Sequence, residues 1–322
     1  MPVPRSRDAA FLGLVLFLVG VMGSPVPGES ETGIEALIES LDDESFVVRN
    51  EADQKLMGLG KAALPALLEA SRSDSPEKRV RAVKLVRRIR EGIIRGEFER
   101  IGKLADADLE VEHAMWAIAL LLDPELEKKV VTEALDEIAA AVRKKLGEGG
   151  EPMGRPPAQA MAALIAVLKD QYGLAGDRIT YQHPDNSSVH RVITRRKGLP
   201  ILLSEIAVAV SRRLELPVVG LGIPGRYMIK YDGGKVPAGE PEKDIIINPF
   251  EGWRKTSVRE LSMTVPGFDA DEHLLESPTR LTILRIMRNM ESHAMVKGQR
   301  ELVGTIRECY SLVAGANFPL FR

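Results

Sequence analysis

The sequence predicts an α+β protein with a helical front, and three observations carry that expectation. Between Gly33 and Gly92 the pattern Arg49-x-x-Ala52-x-x-x-Leu56 returns 30 residues later as Arg79-x-x-Ala82-x-x-x-Val86, each copy after an acidic turn, so two similar helical hairpins are expected. Leu202, Leu203, Ile206, Val210 and Leu214 recur at three- and four-residue spacing, the period of one helix face, and Ala207 and Ala209 let neighbours approach closely. After Pro217 the texture changes to short apolar runs, Val218–Leu221, Tyr227–Tyr231 and Ile245–Ile247, separated by Gly and Pro; these read as strands of a small antiparallel sheet.

Taken in order, Met1–Ser24 reads as an export signal. Arg5 and Arg7 precede an apolar core from Ala9 to Met22, and small residues around Gly23 and Ser24 offer a cleavage point. The apolar run is short for a membrane span, which favours export over the alternative, an uncleaved membrane anchor. No cysteine stands directly after it, which argues against a lipoprotein. Leu59-Gly60-x-x-Ala63-Leu64-Pro65 links the two hairpins. Asp106 to Leu146 continues helical, with Met115, Ile118, Ala119 and Leu122 on one face, a break at Asp123-Pro124 and a second helix from Val130. Gly147–Pro157 reads as a hinge or a surface insertion, Ala158–Tyr172 as a helix, and Gly173–Pro184 as the loop before the central stretch. Pro200 suits a first helical turn, where its missing N–H would have no partner anyway. Asp232-Gly233-Gly234 is a turn between strands. Beyond Trp253 the sequence predicts a short connection through Val265-Pro266-Gly267, then a helix pair over Leu281–His293 and Leu302–Val313.

Composition sets limits. The formal net charge of −2 would become −3 on loss of Arg5, Arg7 and Asp8, a balance that gives no electrostatic case for nucleic acid. Cys309 is the one cysteine, which excludes an intramolecular disulfide and a cysteine-rich metal site. No cofactor is expected. The aliphatic, aromatic-poor apolar content suits packed helices.

Two resemblances sharpen this outline. The N-terminal hairpins resemble HEAT-type repeats, and two such units leave faces uncovered, so they are expected to dock on the helices that follow. The stretch from Asn186 to Trp253 resembles the SirB-type N-terminal domain, a branch of the transglutaminase-like superfamily. The matches run in order through Asn186, Ser187, Val192, Ile193, Arg196, Gly198, Pro200, Leu214, Pro217, Gly222, Pro224, Gly225, Pro249 and Phe250, with weaker similarity from about Ala105 to about Tyr310. The resemblance implies a papain-like fold with a buried central helix and a small antiparallel sheet. Together with the readings above, this gives the expected organisation: 1–24 signal, 33–95 HEAT-like repeats, 105–265 SirB-type domain and 277–315 a closing, tetratricopeptide-like helical hairpin.

Active members of that superfamily use a Cys–His–Asp set for acyl transfer, in which a thiolate attacks, an imidazole moves the proton and a carboxylate orients the imidazole. On the matched motifs these positions read Pro200, Arg226 and Asn248 here. A guanidinium stays protonated and cannot serve as a general base, and an amide carries no charge. No catalytic residue is therefore assigned. Asn186, Ser187, Arg196, Pro200, Ser204, Arg226, Tyr227 and Asn248 are the candidates for lining a cleft, and Arg226 would need Asn248 or a ligand carboxylate as partner if buried.

Other features have two readings. His183 and His190 beside Asp185 invite a metal, but a solvated or capping pair fits their polar loop better, so no metal is expected. Ser204 and Glu205 are adjacent on a helix and point in different directions, which favours structural polarity over a nucleophile and its base. Arg195-Arg196-Lys197 could hold an anion or close on carboxylates, and Asn186-Ser187-Ser188 matches a glycosylation sequon. The function expected is an exported, non-catalytic binding or scaffold protein holding a peptide or protein partner. The alternatives are a hydrolase or transferase rebuilt around Ser204, Arg226, Tyr227 and Asn248, and a structural envelope component. A cleft filled by Tyr227 and Trp253 would favour the last.

Overall fold

A computed structural model describes residues 27–147, 155–235 and 244–315. The expected export signal lies outside the described residues, as does most of the loop expected over Gly147–Pro157. Among the described residues, no helix is long and apolar enough to cross a membrane. The chain divides into two compact units, Met1–Ile89 and Arg90–Arg322, with the division falling inside one long helix.

The first unit comprises α1 (Pro27–Glu39), α2 (Phe46–Leu59), α3 (Leu64–Ala70) and the start of α4 (Pro76–Lys103). The repeat seen in the sequence has a physical counterpart. Arg49 Nη1 donates to the carbonyls of Asp43 and Glu44, at 2.6 and 3.0 Å. Thirty residues on, Arg79 Nη1 donates to those of Ser73 and Asp74, at 2.7 and 3.4 Å. In each copy the arginine gathers the carbonyls of the turn before its helix, while Ala52 and Leu56, or Ala82 and Val86, face the core. Gly92 and Gly96 do not end α4, because the apolar face continues through Phe98 and Ile101, both buried.

In the second unit the chain continues through α5 (Val111–Ala119), α6 (Lys128–Leu146), α7 (Pro157–Ile165), β1 (Ala175–Gly176), α8 (Val189–Arg195), β2 (Lys197–Gly198) and α9 (Pro200–Arg212). Next come β3 (Val218–Leu221), β4 (Met228–Tyr231), β5 (Ile245–Asn248) and β6 (Arg254–Thr256). The chain closes with α10 (Val258–Thr264), α11 (Ala270–His273), α12 (Thr279–Val296) and α13 (Arg300–Ala314). β1 and β2 pair in parallel, and β3-β4-β5-β6 form an antiparallel sheet in sequence order. The molecule is thus mostly helical with a small antiparallel sheet, the expected α+β class.

Helix α9 is the centre of this unit: every residue from Ile201 to Ser211 is buried. Strand alternation then splits the sheet's contacts. Val218, Ile229, Tyr231 and Ile247 join the core that contains α9, whereas Val219, Leu221, Met228 and Ile246 pack with Leu261 and Val265 of the following segment. One expectation needs correction. The chain after Trp253 is not a plain connection but a fourth strand and helix α10, whose Ser257 hydroxyl caps it by accepting the Glu260 N–H. Arg254-Lys255-Thr256 is too short and polar to show as a strand by hydropathy, and charged residues suit an outer edge.

Candidate functional site

The start of α9 is where the superfamily places its nucleophile. Pro200 occupies the first turn there, half-buried, behind the extended Leu199, so this helix end offers a ring instead of a thiol. Ser204, one turn further, is fully buried, and its hydroxyl has no partner among the described residues. Leu199 donates its N–H to the Asn186 carbonyl at 3.3 Å, which ties the Asn-Ser-Ser segment to the helix start.

Asn186 is itself fully buried. Its side-chain amide donates to the carbonyls of Thr180 and Tyr181, at 2.7 and 3.2 Å, and its oxygen accepts from Arg195 Nη1 at 3.1 Å. That burial leaves it inaccessible as a glycosylation acceptor in the folded chain. Ser187 is buried as well, and its hydroxyl has no partner among the described residues. Arg196 is an exposed corner residue at φ 61°, and its carbonyl accepts from the Ala175 N–H at 3.0 Å. Of these three candidates, Asn186 holds the loop through the carbonyls of Thr180 and Tyr181, and Arg196 joins β1 through its backbone.

That loop runs from 177 to 183, and sequence reasoning missed its hub, Asp177. This carboxylate is 1% exposed and accepts from the N–H groups of Ile179 and Thr180, from the Thr180 hydroxyl and from Arg195 Nη2. Burial pushes its pKa up, but the hydrogen bonds from Thr180 and Ile179 help to outweigh that and hold it at about 2. Arg191 braces the same region, binding Asp123 through two nitrogens at 2.8 Å and Asp185 at 2.5 Å. Of the basic run, Arg195 closes on Asp177 and Asp185, whereas Arg196 and Lys197 are exposed. His183 accepts the Asp185 N–H through Nδ1, which is a capping role, and no cluster of metal-binding groups occurs among the described residues.

So fixed, the loop displays Arg178, Ile179 and Tyr181. Ile179 is 87% exposed, more than any other large apolar side chain in the described residues. Tyr181 stands edge-on to Phe250 at 5.7 Å and to His293 at 5.8 Å, and the Arg178 guanidinium lies 5.8 Å from the centre of the Phe250 ring. Gly176 passes so close to Phe250 that a β-carbon there would overlap the ring.

The other two positions of the acyl-transfer set, Arg226 and Asn248, lie next to the same end of the β4–β5 pair, where Ile229 stands opposite Ile247. Arg226 sits half-buried between β3 and β4, and its guanidinium makes no hydrogen bond among the described residues. It acts through space on Glu260, whose pKa is held near 2 chiefly by a hydrogen bond from Arg254. Asn248 is buried at the end of β5, where its side-chain oxygen accepts the Glu251 N–H at 3.3 Å, so it does not partner Arg226. Tyr227 points the other way, into the core.

There Tyr227 completes a buried polar chain. Its hydroxyl donates to Glu205 Oε1 at 2.7 Å and meets the Thr282 hydroxyl at 3.0 Å, which in turn donates to Ser277 at 3.1 Å. Burial lifts Glu205 from its ordinary 4.5 to about 7, against the downward pull of the Tyr227 hydrogen bond and the Arg212 charge. Gly220 makes room for this contact: a β-carbon would stand 2.5 Å from both the carboxylate and the phenol oxygen. Arg285 lies over the Tyr227 ring at 5.4 Å and donates to the Arg226 carbonyl at 2.7 Å, which fixes the β3–β4 loop. Tyr227 thus bonds Glu205 and Thr282, and Asn248 accepts from Glu251; neither bonds Ser204 or Arg226 among the described residues. The interior is also filled, with Tyr227 at 2% and Trp253 at 4% exposure, and the Trp253 indole donates to the Leu174 carbonyl at 2.7 Å.

A buried helix followed by a meander of antiparallel strands is the arrangement that the Asn186–Trp253 resemblance implies, and comparison with known families agrees. The family model of the transglutaminase-like superfamily matches residues 129–289, from α6 into α12. The chain belongs to the transglutaminase-like superfamily. A UPF0162 protein of Xylella fastidiosa is 32% identical over 143 residues, 41% of this chain and 48% of its own. Protein SirB1 of Salmonella typhimurium is 23% identical over 155 residues, 45% and 54% of the two chains, in keeping with the SirB-type resemblance. Mouse F-box only protein 21 is 26% identical over 145 residues, 44% of this chain and 22% of that one. The chain spans about half the length of these bacterial relatives. No solved structure matches it significantly. Pro200, Arg226 and Asn248 all fall within the matched transglutaminase-like region.

Proposed function

We propose that this protein is an exported, non-catalytic binding module, in which the transglutaminase-like domain holds a peptide or protein partner on the rim formed by the 177–183 loop. The observation that carries the reading is the pairing of a large exposed side chain, Ile179, with a loop fixed by the buried Asp177 and Asn186 and the half-buried Arg195. An apolar side chain that is both exposed and preorganised loses little conformational entropy on association, the condition for an interface anchor. Arg178 and Tyr181 flank it, and both residue types are favoured at interface centres.

Absence of acyl chemistry is supported by the chain's one thiol. Cys309 is buried on α13, and burial pushes its pKa up to about 12, so at neutral pH it is protonated and shielded. Similarity to stretches of other chains, from about half of a bacterial relative to about a fifth of the mouse protein, suits a module used in several contexts.

The test is affinity capture on the immobilised mature protein beside its Ile179→Asp variant. The reading requires a partner retained by the first and lost by the second, with both folded by circular dichroism. Equal retention would refute the rim as the binding face. A second reading, a structural envelope component with no ligand, is favoured by the inward packing of Tyr227 and Trp253. It predicts that neither protein retains anything.

A further inference from the structure

We infer that the outer face of α4 within the first unit is a docking site for an acidic amphipathic helix of a partner protein. The argument begins with how α2 and α4 stack. Arg49 of α2 lies 3.3 Å from Glu77 of α4, and Asp53 of α2 accepts from Arg81 of α4 at 2.7 Å. Moved forward by the 30-residue repeat, the two α2 positions become Arg79 and Val83 of α4, and both are exposed. The edge that a further hairpin would cover by the same geometry is therefore open. Val83 is 54% exposed and Val80, one turn before it, 63%. Two valines side by side on one helix face are what an amphipathic helix seats against.

Charge selects the kind of helix. Most cations at the start of α4 are already satisfied: Lys78 by Glu39 at 2.8 Å, Arg81 by Asp53 and Glu77, and Arg79 by turn carbonyls. Lys84 and Arg88, one and two turns beyond Val80, are exposed and reach no carboxylate among the described residues. A helix lying on Val80 and Val83 meets these two cations at its margin, so carboxylates beside its apolar stripe complete the contact. A second copy of this chain using the same face would oppose cation to cation, which disfavours a symmetric dimer there.

The inference shares with the proposed function the premise that the chain works by binding, but it concerns another face. The experiment uses the full chain and two synthetic helical peptides with the same leucine stripe, one flanked by glutamates and one by lysines, titrated by fluorescence anisotropy. The acidic peptide is expected to bind about tenfold or more tighter than the basic one, with the advantage shrinking as salt rises. Val83→Asp should remove most of that binding, and the Lys84→Glu/Arg88→Glu pair should invert the preference. All three positions are exposed, so circular dichroism should find these variants folded. Ile179→Asp should bind the acidic peptide like the unmodified protein, which separates failure of this inference from failure of the rim reading. Equal affinity for both peptides, no binding of the acidic one, or self-association abolished by Val83→Asp would each overturn the inference.

Discussion

Replacing Glu205 by glutamine should make the protein more stable at neutral and alkaline pH, and the effect should vanish in acid. Glu205 is fully buried, and its hydrogen-bond partner is the Tyr227 hydroxyl at 2.7 Å. Burial raises its pKa from 4.5 to about 7, so between those values the folded chain keeps a proton that the unfolded chain releases. The sign follows from linkage. Stability is greatest at or below the unfolded value and falls as pH rises through the folded one. The gap corresponds to about 3 kcal/mol, lost in full above pH 7. Glutamine keeps an oxygen for Tyr227 and never ionises, so it mimics the protonated carboxyl.

The assay is urea unfolding of both proteins at intervals from pH 4.5 to 8.5. The difference between them should be within about 1 kcal/mol at pH 4.5 and grow to about 3 kcal/mol in favour of glutamine above pH 7.5. Buried His113 and His293, whose pKa values burial lowers, also make stability pH-dependent, but they contribute equally to both proteins and cancel in the difference. A difference that stays flat across the range would refute the reasoning, because Glu205 would then be solvated or paired in the folded chain.

Three further outcomes follow from the same geometry. Asp177→Ala should cost about 2 kcal/mol or more above pH 5, since the carboxylate's stabilisation is lost only as pH falls through about 2; hydrogen exchange should locate the loosening in the 177–183 loop. Gly220→Ala should cost about 1–3 kcal/mol by thermal unfolding, because the added methyl overlaps Glu205 and Tyr227. Arg226→Ala should leave stability within about 0.5 kcal/mol, as expected for a half-buried guanidinium without hydrogen bonds, while weakening any acidic ligand of the β3–β4 loop.

Much of the fold was legible because periodicity reports burial directly. Leu202, Ile206 and Val210 mark the inner face of α9, and the three apolar runs after Pro217 became β3, β4 and β5. The fourth strand was not legible, because an edge strand of three residues carrying Arg254 and Lys255 has no hydrophobic alternation to read. The site divides in the same way. Motif matching located Pro200, Arg226 and Asn248 but could not say that their neighbours bond elsewhere. Asp177 and Glu205 were not legible as hubs because the partners that mark them out are remote in sequence: Arg195 ends the helix that follows the Asp177 loop, and Tyr227, the partner of Glu205, comes from the far side of β3. One signal was available. Asp185 just before α8, with Arg191 and Arg195 four residues apart on it, offers one carboxylate within reach of two guanidiniums, which hints at a braced corner.

The central claim is that this transglutaminase-like chain acts by contact and has no acyl-transfer chemistry. Its most direct test is intact-protein mass spectrometry after incubation at pH 7.5 with a reactive thioester-forming acyl donor. The account predicts an unmodified protein on the timescale of enzymatic turnover, with Cys309 labelled only after denaturation. Rapid one-to-one acylation of the folded chain, at Cys309 or at any hydroxyl, would contradict it.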